Sequence, residues 1–182
     1  MTPVLPFKIH RFKQIDSTNS ALLRAAEEGA PAGSVFVADY QTKGRGKWGR
    51  NWVSPRGKNL LFSLLLRPSL KASEAPFLTQ VVCRSVAKVL QKEYGLTPAF
   101  KRPNDVMIKG KKICGVLVEA RGRMSGTLES LVIGVGVNVN ALSEELVEGA
   151  TSVREETGEK VSRKALLKAL LAQLKRDLTC YF

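Results

Sequence analysis

The sequence predicts an α+β fold, a mixed and mainly antiparallel sheet with helices packed on one side. Segments of strand length follow one another in runs with helical segments interspersed irregularly, whereas strict alternation would point to a parallel sheet. The chain carries no internal repeat, no low-complexity tract and no shift of composition that would divide it. Its 182 residues therefore suit one domain over 1–182, large enough to bury about 70% of the surface that the unfolded chain exposes.

Residues 7–15 alternate apolar and polar side chains, with Phe7 and Ile9 and then, after a slip, Phe12 and Ile15, which predicts a half-buried strand. Asp16-Ser17-Thr18-Asn19 supplies capping side chains for a helix that runs to about residue 28 and stops at Gly29 and Pro31. Residues 34–40 read as a strand that feeds a basic loop. Residues 60–67, an apolar run interrupted by Ser63, read as a buried strand stopped by Pro68. Over 75–94, Phe77, Leu78, Val81, Val82, Val86, Val89 and Leu90 keep helical spacing, and Gly95 falls where a C-cap belongs. Short strands are expected over 99–102, 106–108 and 113–119, with Lys109-Gly110-Lys111 as a hairpin turn, and a valine-rich strand over 127–139. A last helix over 163–178 carries Leu166, Leu167, Leu170, Leu171 and Leu174 on one face.

Composition excludes several classes of protein. Hydrophobic residues at 44% and charged residues at 25% are ordinary for a soluble globular chain and disfavour disordered and fibrous ones. The apolar run at 60–66 is too short to span a bilayer, and Lys8, His10, Arg11 and Lys13 break any signal-peptide core. A cytoplasmic protein with no membrane partner is the expectation. Cys83, Cys114 and Cys180 are odd in number and far apart, which fits neither a disulfide framework nor a zinc spacing, so they read as buried or incidental thiols. His10 is the only histidine, so a triad mechanism would have to run through the extreme N-terminus. The net charge of +13 favours acidic ligands or partners. No helix-turn-helix, zinc-finger or ribonucleoprotein motif accompanies that charge, and an acidic protein or a nucleotide would serve as well as nucleic acid.

Four segments carry candidate chemistry. Between residue 38 and Trp52, Gly44, Gly46 and Gly49 alternate with Arg45, Lys47 and Arg50, which lets the backbone approach a ligand closely while aiming fixed positive charge at it. Such a loop suits an anion, phosphate or carboxylate. Lys101-Arg102-Pro103-Asn104-Asp105 places an extended residue before a proline and then a turn, so Asn104 and Asp105 should project from a strand end. Lys112 opens a strand that leaves Gly115 bare within it, where a ligand or another backbone can approach. In Ile133-Gly134-Val135-Gly136-Val137-Asn138 the glycines fall on one face, a flat floor for a slab-shaped ligand, while the valines face the core. A dinucleotide fingerprint is rejected there, because its third glycine and following helix are absent.

Taken together these segments resemble the biotin protein ligase family. The likeness runs in order through Asp16-Ser17-Thr18-Asn19, Gln41-Thr42-Lys43-Gly44-Arg45-Gly46, Trp52-Val53-Ser54-Pro55, Lys101-Arg102-Pro103-Asn104-Asp105, Lys112-Ile113-Cys114-Gly115 and Gly134-Val135-Gly136-Val137-Asn138. It implies the sheet architecture that class II aminoacyl-tRNA synthetases share with biotin and lipoyl ligases. It also implies ATP-dependent attachment of biotin, through biotinyl-5′-AMP, to a lysine of the biotin carboxyl carrier domain of a biotin-dependent carboxylase. By the same resemblance Ser17, Thr18 and Gln41 hydrogen-bond the biotin ureido ring, with Asn19, Gly44, Arg45 and Gly46 also against the substrate. Gly115, Gly134 and Gly136 leave room for the bicycle. Lys112 bridges the biotin carboxylate and the α-phosphate, and Arg45 and Lys47 add the cations that two anions need. Lys47, Arg50, Trp52, Asn104 and Asn138 are assigned to ATP, Asn138 to its adenine. Asp105 and Asn104 are assigned to the acceptor lysine, to phosphate and to magnesium brought in by ATP, with no fixed metal site.

Two residues depart from the family pattern. Lys47 stands where arginine is common, which keeps the charge but loses the planar fork and so weakens retention of the adenylate. Arg102 stands where tryptophan is usual, which reshapes the site. Few residues precede Ser17 and the chain stops at Tyr181-Phe182, so neither an N-terminal DNA-binding domain nor a C-terminal β domain is expected. The resulting expectation is no specific DNA binding, and either a minimal ligase with weakened ATP or acceptor handling or an incomplete reading frame. Relatives often pair through their sheets, which puts a homodimer among the implied partners. Lipoate or octanoate transfer by the same fold and a non-catalytic nucleic-acid-binding domain are the competing readings, the former lacking here its usual Arg-Arg-x-x-Gly-Gly-Gly loop.

Overall fold

The computed structural model describes residues 6–68, 70–122 and 128–181. Within them lie the strands β1 (Lys8–Phe12), β2 (Ser34–Ala38), β3 (Leu60–Leu66), β4 (Pro98–Lys101), β5 (Asp105–Ile108), β6 (Lys111–Gly122) and β7 (Leu128–Val137). The helices are α1 (Thr18–Glu27), α2 (Ala75–Tyr94), α3 (Val153–Thr157) and α4 (Arg163–Leu178). The strands form one sheet in the order β1-β2-β3-β7-β6-β5-β4. Only β1 and β2 run parallel, and every other neighbouring pair is antiparallel. The α+β class and the mixed, mainly antiparallel sheet therefore agree with the sequence. Thr127, where the last strand was expected to begin, and the terminal Phe182 lie outside the described residues.

The packing of helices departs from expectation in one respect. Strand side chains alternate between faces, so Leu64 and Leu66 of β3 and Leu131 and Ile133 of β7 join the main core, to which α2 gives Val82, Val86 and Leu90 and α4 gives Leu170 and Leu174. The intervening Leu65 and Val132 point the other way and meet Leu22 and Ala26 of α1. The two long helices thus share one face as expected, whereas α1 covers the other. The reason is legible in β3, where every residue is buried, the mark of a strand covered on both sides. Each such leucine contributes about 1.5–3 kcal/mol by leaving water.

Local signals set the ends of the helices. Ser17 caps α1, and Arg24 reaches back with two hydrogen bonds of 2.9 and 3.1 Å to Asp16. The Arg24 guanidinium holds the Asp16 carboxyl below its usual range, so that the carboxylate stays ionised and accepts from the Ser17 N–H at 2.7 Å. Gly95 ends α2 in the left-handed conformation at φ 65, its N–H returning to Gln91. Helix α3 was not anticipated. Its five residues are too few for a hydrophobic period, although Ser152 caps its start and Gly158, at φ 79, ends it.

Cys83 and Cys114 are free and buried. Burial pushes the Cys83 thiol up to about 12 and that of Cys114 well above its ordinary value, so both stay protonated near neutrality and offer no thiolate nucleophile. The side chain of Cys180 lies outside the described residues. Among the described residues no helix is long and apolar enough to cross a membrane.

Candidate active site

The α1 face of the sheet is where the candidate residues meet. Register pairs Ser63 with Gly134 and Leu61 with Gly136 across β3 and β7, and Gly115 with Gly136 and Glu119 with Val132 across β6 and β7. Because Val132 faces α1, so do all of these. The glycines leave that face low, and a cavity of about 370 Å³ opens over it, bounded by the start of α1, the basic loop and residues 101–105.

One wall is a polar network at the start of α1. The bridge between Ile15 and Gln41 continues the β1–β2 pairing and brings Gln41 beside the helix cap. Gln41 Oε1 accepts from the Thr18 N–H at 2.7 Å and from Thr18 Oγ1 at 3.0 Å. Ser63, fully buried beneath them, donates to Asn19 Oδ1 at 2.5 Å and lies 2.8 Å from Thr18 Oγ1. Asn19 Nδ2 donates in turn to the Leu117 carbonyl at 3.2 Å and to Glu119 Oε2 at 2.8 Å. The other Glu119 oxygen pairs with Arg45, whose guanidinium also donates to Ser20 Oγ at 3.0 Å. Arg45 therefore clasps the basic loop to both α1 and β6.

The opposite wall centres on Lys112. A register shift between Val106 and Met107 interrupts the β5–β6 pairing beside it, and such irregularities re-aim side chains at functional sites. The Lys112 backbone is held from behind, its N–H on the Gly149 carbonyl at 2.8 Å and its carbonyl taking the Thr151 N–H at 2.9 Å. Its Nζ lies 2.7 Å from Asp105 Oδ1 and 5.3 Å from the centre of the Trp52 ring. Asn104, buried, donates to the Val116 carbonyl at 2.8 Å and fixes the turn that carries Asp105.

The glycine floor is partly taken up by the protein's own side chains. A Cβ on Gly115 would lie 2.8 Å from Trp52 Cζ3, and one on Gly136 would lie 2.6 Å from Trp52 Cε2. A Cβ on Gly134 would collide with Asn19 Oδ1. These positions are bare so that an indole and an amide can lie against the sheet, which refines the sequence expectation that they only make room for a ligand. Gly134→Ala should accordingly break the Asn19–Ser63 contact and lower the melting temperature by about 5 °C, the cost of overpacking a filled site. Thermal denaturation followed by circular dichroism checks this, an unchanged midpoint being the contrary result.

Of the residues singled out from sequence, Ser17, Thr18, Asn19, Gln41, Arg45, Gly46, Lys47 and Arg50 line the cavity, together with Trp52, Asn104, Asp105, Lys112, Gly115, Gly134 and Gly136. Two fall elsewhere. Gly44 lies behind the lining, where its carbonyl takes the Trp52 N–H at 3.0 Å and a Cβ would strike the Trp52 carbonyl. Asn138, assigned to adenine, is buried outside the lining, where its Oδ1 accepts from Asn59 at 3.1 Å and its N–H holds the Ile113 carbonyl at 2.9 Å. It braces the strand that presents Lys112. Ser63 and Glu119 were missed, although Ser63 is the lone polar residue of β3. Among the described residues no cluster of three or more histidine, cysteine or acidic side chains could hold a metal ion. Asp105 is the carboxylate that lines the cavity.

Comparison with known proteins gives a consistent result. Residues 11–138 match the model of the biotin/lipoate A/B protein ligase family. The chain is 36% identical over 161 residues to the bifunctional ligase/repressor BirA of Bacillus spizizenii, covering 86% of this chain and 49% of that protein. It is 37% identical over 162 residues to a biotin–[acetyl-CoA-carboxylase] ligase of Paracoccus denitrificans, covering 85% of this chain and 66% of that one. Among solved structures it is similar to the biotin protein ligase from Aquifex aeolicus in complex with biotin and ATP, with a TM-score of 0.80 and 35% identity over 93% of this chain and 69% of that one. The chain thus spans about half the length of the BirA relative.

Proposed function

The chain belongs to the biotin/lipoate A/B protein ligase family as a biotin protein ligase catalytic domain, and from that premise we propose that it uses ATP to join biotin to a lysine of a biotin carboxyl carrier domain. The observation that carries this reading is the convergence of Arg45 and Lys112, from separate elements, on one cavity floored by glycines and walled by Trp52 and the Thr18–Gln41 pair. The reaction first brings two anions together, the biotin carboxylate and the α-phosphate. Attack of the carboxylate forms the mixed anhydride and releases pyrophosphate. The carrier's lysine amine then attacks the acyl carbon and AMP leaves.

Fixed cations suit the first step because they neutralise charge as it builds, without reorganising. Lys112 and Arg45 are each already oriented by a carboxylate, Asp105 and Glu119 respectively. Lys112 is placed to bridge carboxylate and phosphate, and Asp105 beside it to accept a hydrogen bond from the incoming lysine. Thr18 and Gln41 supply the few polar contacts that an otherwise apolar vitamin needs. Magnesium carried on the triphosphate neutralises its outer phosphates when bound, and one carboxylate, Asp105, with the Asn104 amide fits that mode of binding. Lys47 in place of an arginine predicts weaker retention of the adenylate. A cytoplasmic site of action accords with ATP as a substrate.

The test is direct. Purified chain, biotin, ATP, magnesium and a carrier domain should yield carrier that streptavidin detects, with no transfer when lipoate or octanoate replaces biotin. Transfer of lipoate alone would move the chain to the other branch of its family.

A further inference from the structure

Among the described residues the cavity is lined by the cations Arg45, Lys47, Arg50, Lys101, Arg102 and Lys112, against the one carboxylate of Asp105. The ligase reading gives the first three and Lys112 to biotin and ATP, and leaves Lys101 and Arg102 without a role. Register fixes where these two stand. Lys101 pairs with Asp105, Asp105 with Gly115 and Gly115 with Gly136, so one row on the site face runs from the glycine floor outward to Lys101. Its strand, β4, is the edge of the sheet. Lys101 and Arg102 are exposed, and neither forms an ion pair among the described residues, Asp105 being held by Lys112. The turn behind them is fixed on two sides, Gln80 Nε2 donating to the Pro103 carbonyl at 2.7 Å and the Asn104 amide to the Val116 carbonyl at 2.8 Å.

Lys101 and Arg102 thus stand between Asp105 and the open edge of the sheet. A lysine brought to Asp105 from that edge is itself a cation, and they repel it. Acidic residues beside that lysine reverse the sign, because each sets a carboxylate against a waiting cation. Arg102 suits a carboxylate in particular, since its planar fork binds both oxygens at once. We propose that Lys101 and Arg102 form the docking rim for the carrier domain and select an acceptor lysine flanked by aspartate or glutamate. This role rests on the ligase reading and adds to it the charge that the acceptor must carry. The outer phosphates of ATP are the rival occupant of the rim, and the two half-reactions separate them, because pyrophosphate exchange runs without a carrier.

The probe is a biotin carboxyl carrier domain in two forms, with glutamate or with glutamine on both sides of its acceptor lysine. At low salt the parent protein should transfer biotin with a KM about fivefold lower for the glutamate form, the size expected of exposed ion pairs. Lys101→Gln combined with Arg102→Gln should abolish that preference and leave KM for ATP in biotin-dependent exchange at the parent value. Arg102→Glu should prefer a carrier flanked by lysine over one flanked by glutamate, an inversion that misfolding cannot produce. Equal KM for the glutamate and glutamine forms in the parent overturns the proposal. So does a raised KM for ATP in the double variant with the carrier preference intact, which assigns the rim to the triphosphate. A parent without biotin-dependent exchange removes the ligase reading. Fluorescence anisotropy of the labelled carriers then still reads docking, and equal affinity for the two forms overturns the rim on its own.

Discussion

Lys112→Ala should bring biotin-dependent pyrophosphate exchange down to background, a loss of about a hundredfold or more, with the fold intact. The expected size follows from position. Lys112 is the cation held over the glycine floor at the end where Asp105 and Asn104 converge, and its charge is placed by a strand start that Gly149 and Thr151 lock through backbone bonds. Those bonds survive the substitution. The side chain is itself 32% exposed and its partner Asp105 21%, and a pair open to water to that degree contributes little to stability. A melting temperature near that of the parent, together with absent exchange, is the predicted outcome. Asp105→Asn separates the roles of the pair. It should lower exchange only in part, because Lys112 keeps its charge while losing its orienting carboxylate, and slow transfer to the carrier more strongly. Near-normal exchange in Lys112→Ala would mean that a different lysine activates the carboxylate.

Arg45→Gly should release the activated intermediate. Arg45 ties the basic loop to β6 through Glu119 and to α1 through Ser20, so its removal undoes both attachments while the hairpin bonds at Gly44 and Gly46 remain. An acyl phosphate set free reacts with any amine, and mass spectrometry should find biotin on bystander lysines at a level well above the parent. Arg45→Lys sharpens the test. It keeps the charge but cannot span two partners with one planar group, so it should leak as well. Selectivity retained in both variants would count against the loop as a cover for the adenylate.

Much of this arrangement is legible in the sequence because its signals are local. The Ser17 cap, the helical spacing from Phe77 to Leu90, Gly95 and the leucines of α4 each depend on residues within a few turns, and α2 and α4 appear at the predicted bounds. The alternation at Ile133 to Val137 likewise gave the correct faces, valines to the core and glycines to the site. The placement of α1 was harder to read. It depends on Leu65 and Val132 lying between residues of the opposite face, and only pairing register reveals that.

The parts of the site that the sequence left unplaced share a cause. Asn138 stands next to the glycine strand, but the chain turns after Val137 and carries its amide back onto Asn59. Ser63 and Glu119 lie 44 and 100 residues from Asn19, the group they share, so no spacing rule connects them.

The central claim is that Arg45 and Lys112 act on one bound pair of substrates in one cavity. A crystal structure of the protein grown with biotin and a non-hydrolysable ATP analogue tests it most directly. The account predicts biotin over Gly115, Gly134 and Gly136, with its carboxylate and the α-phosphate both within hydrogen-bond reach of Lys112 and with the Arg45 loop closed across them. Either ligand bound elsewhere, with Lys112 and Arg45 turned away from each other and the glycine floor untouched, would contradict it.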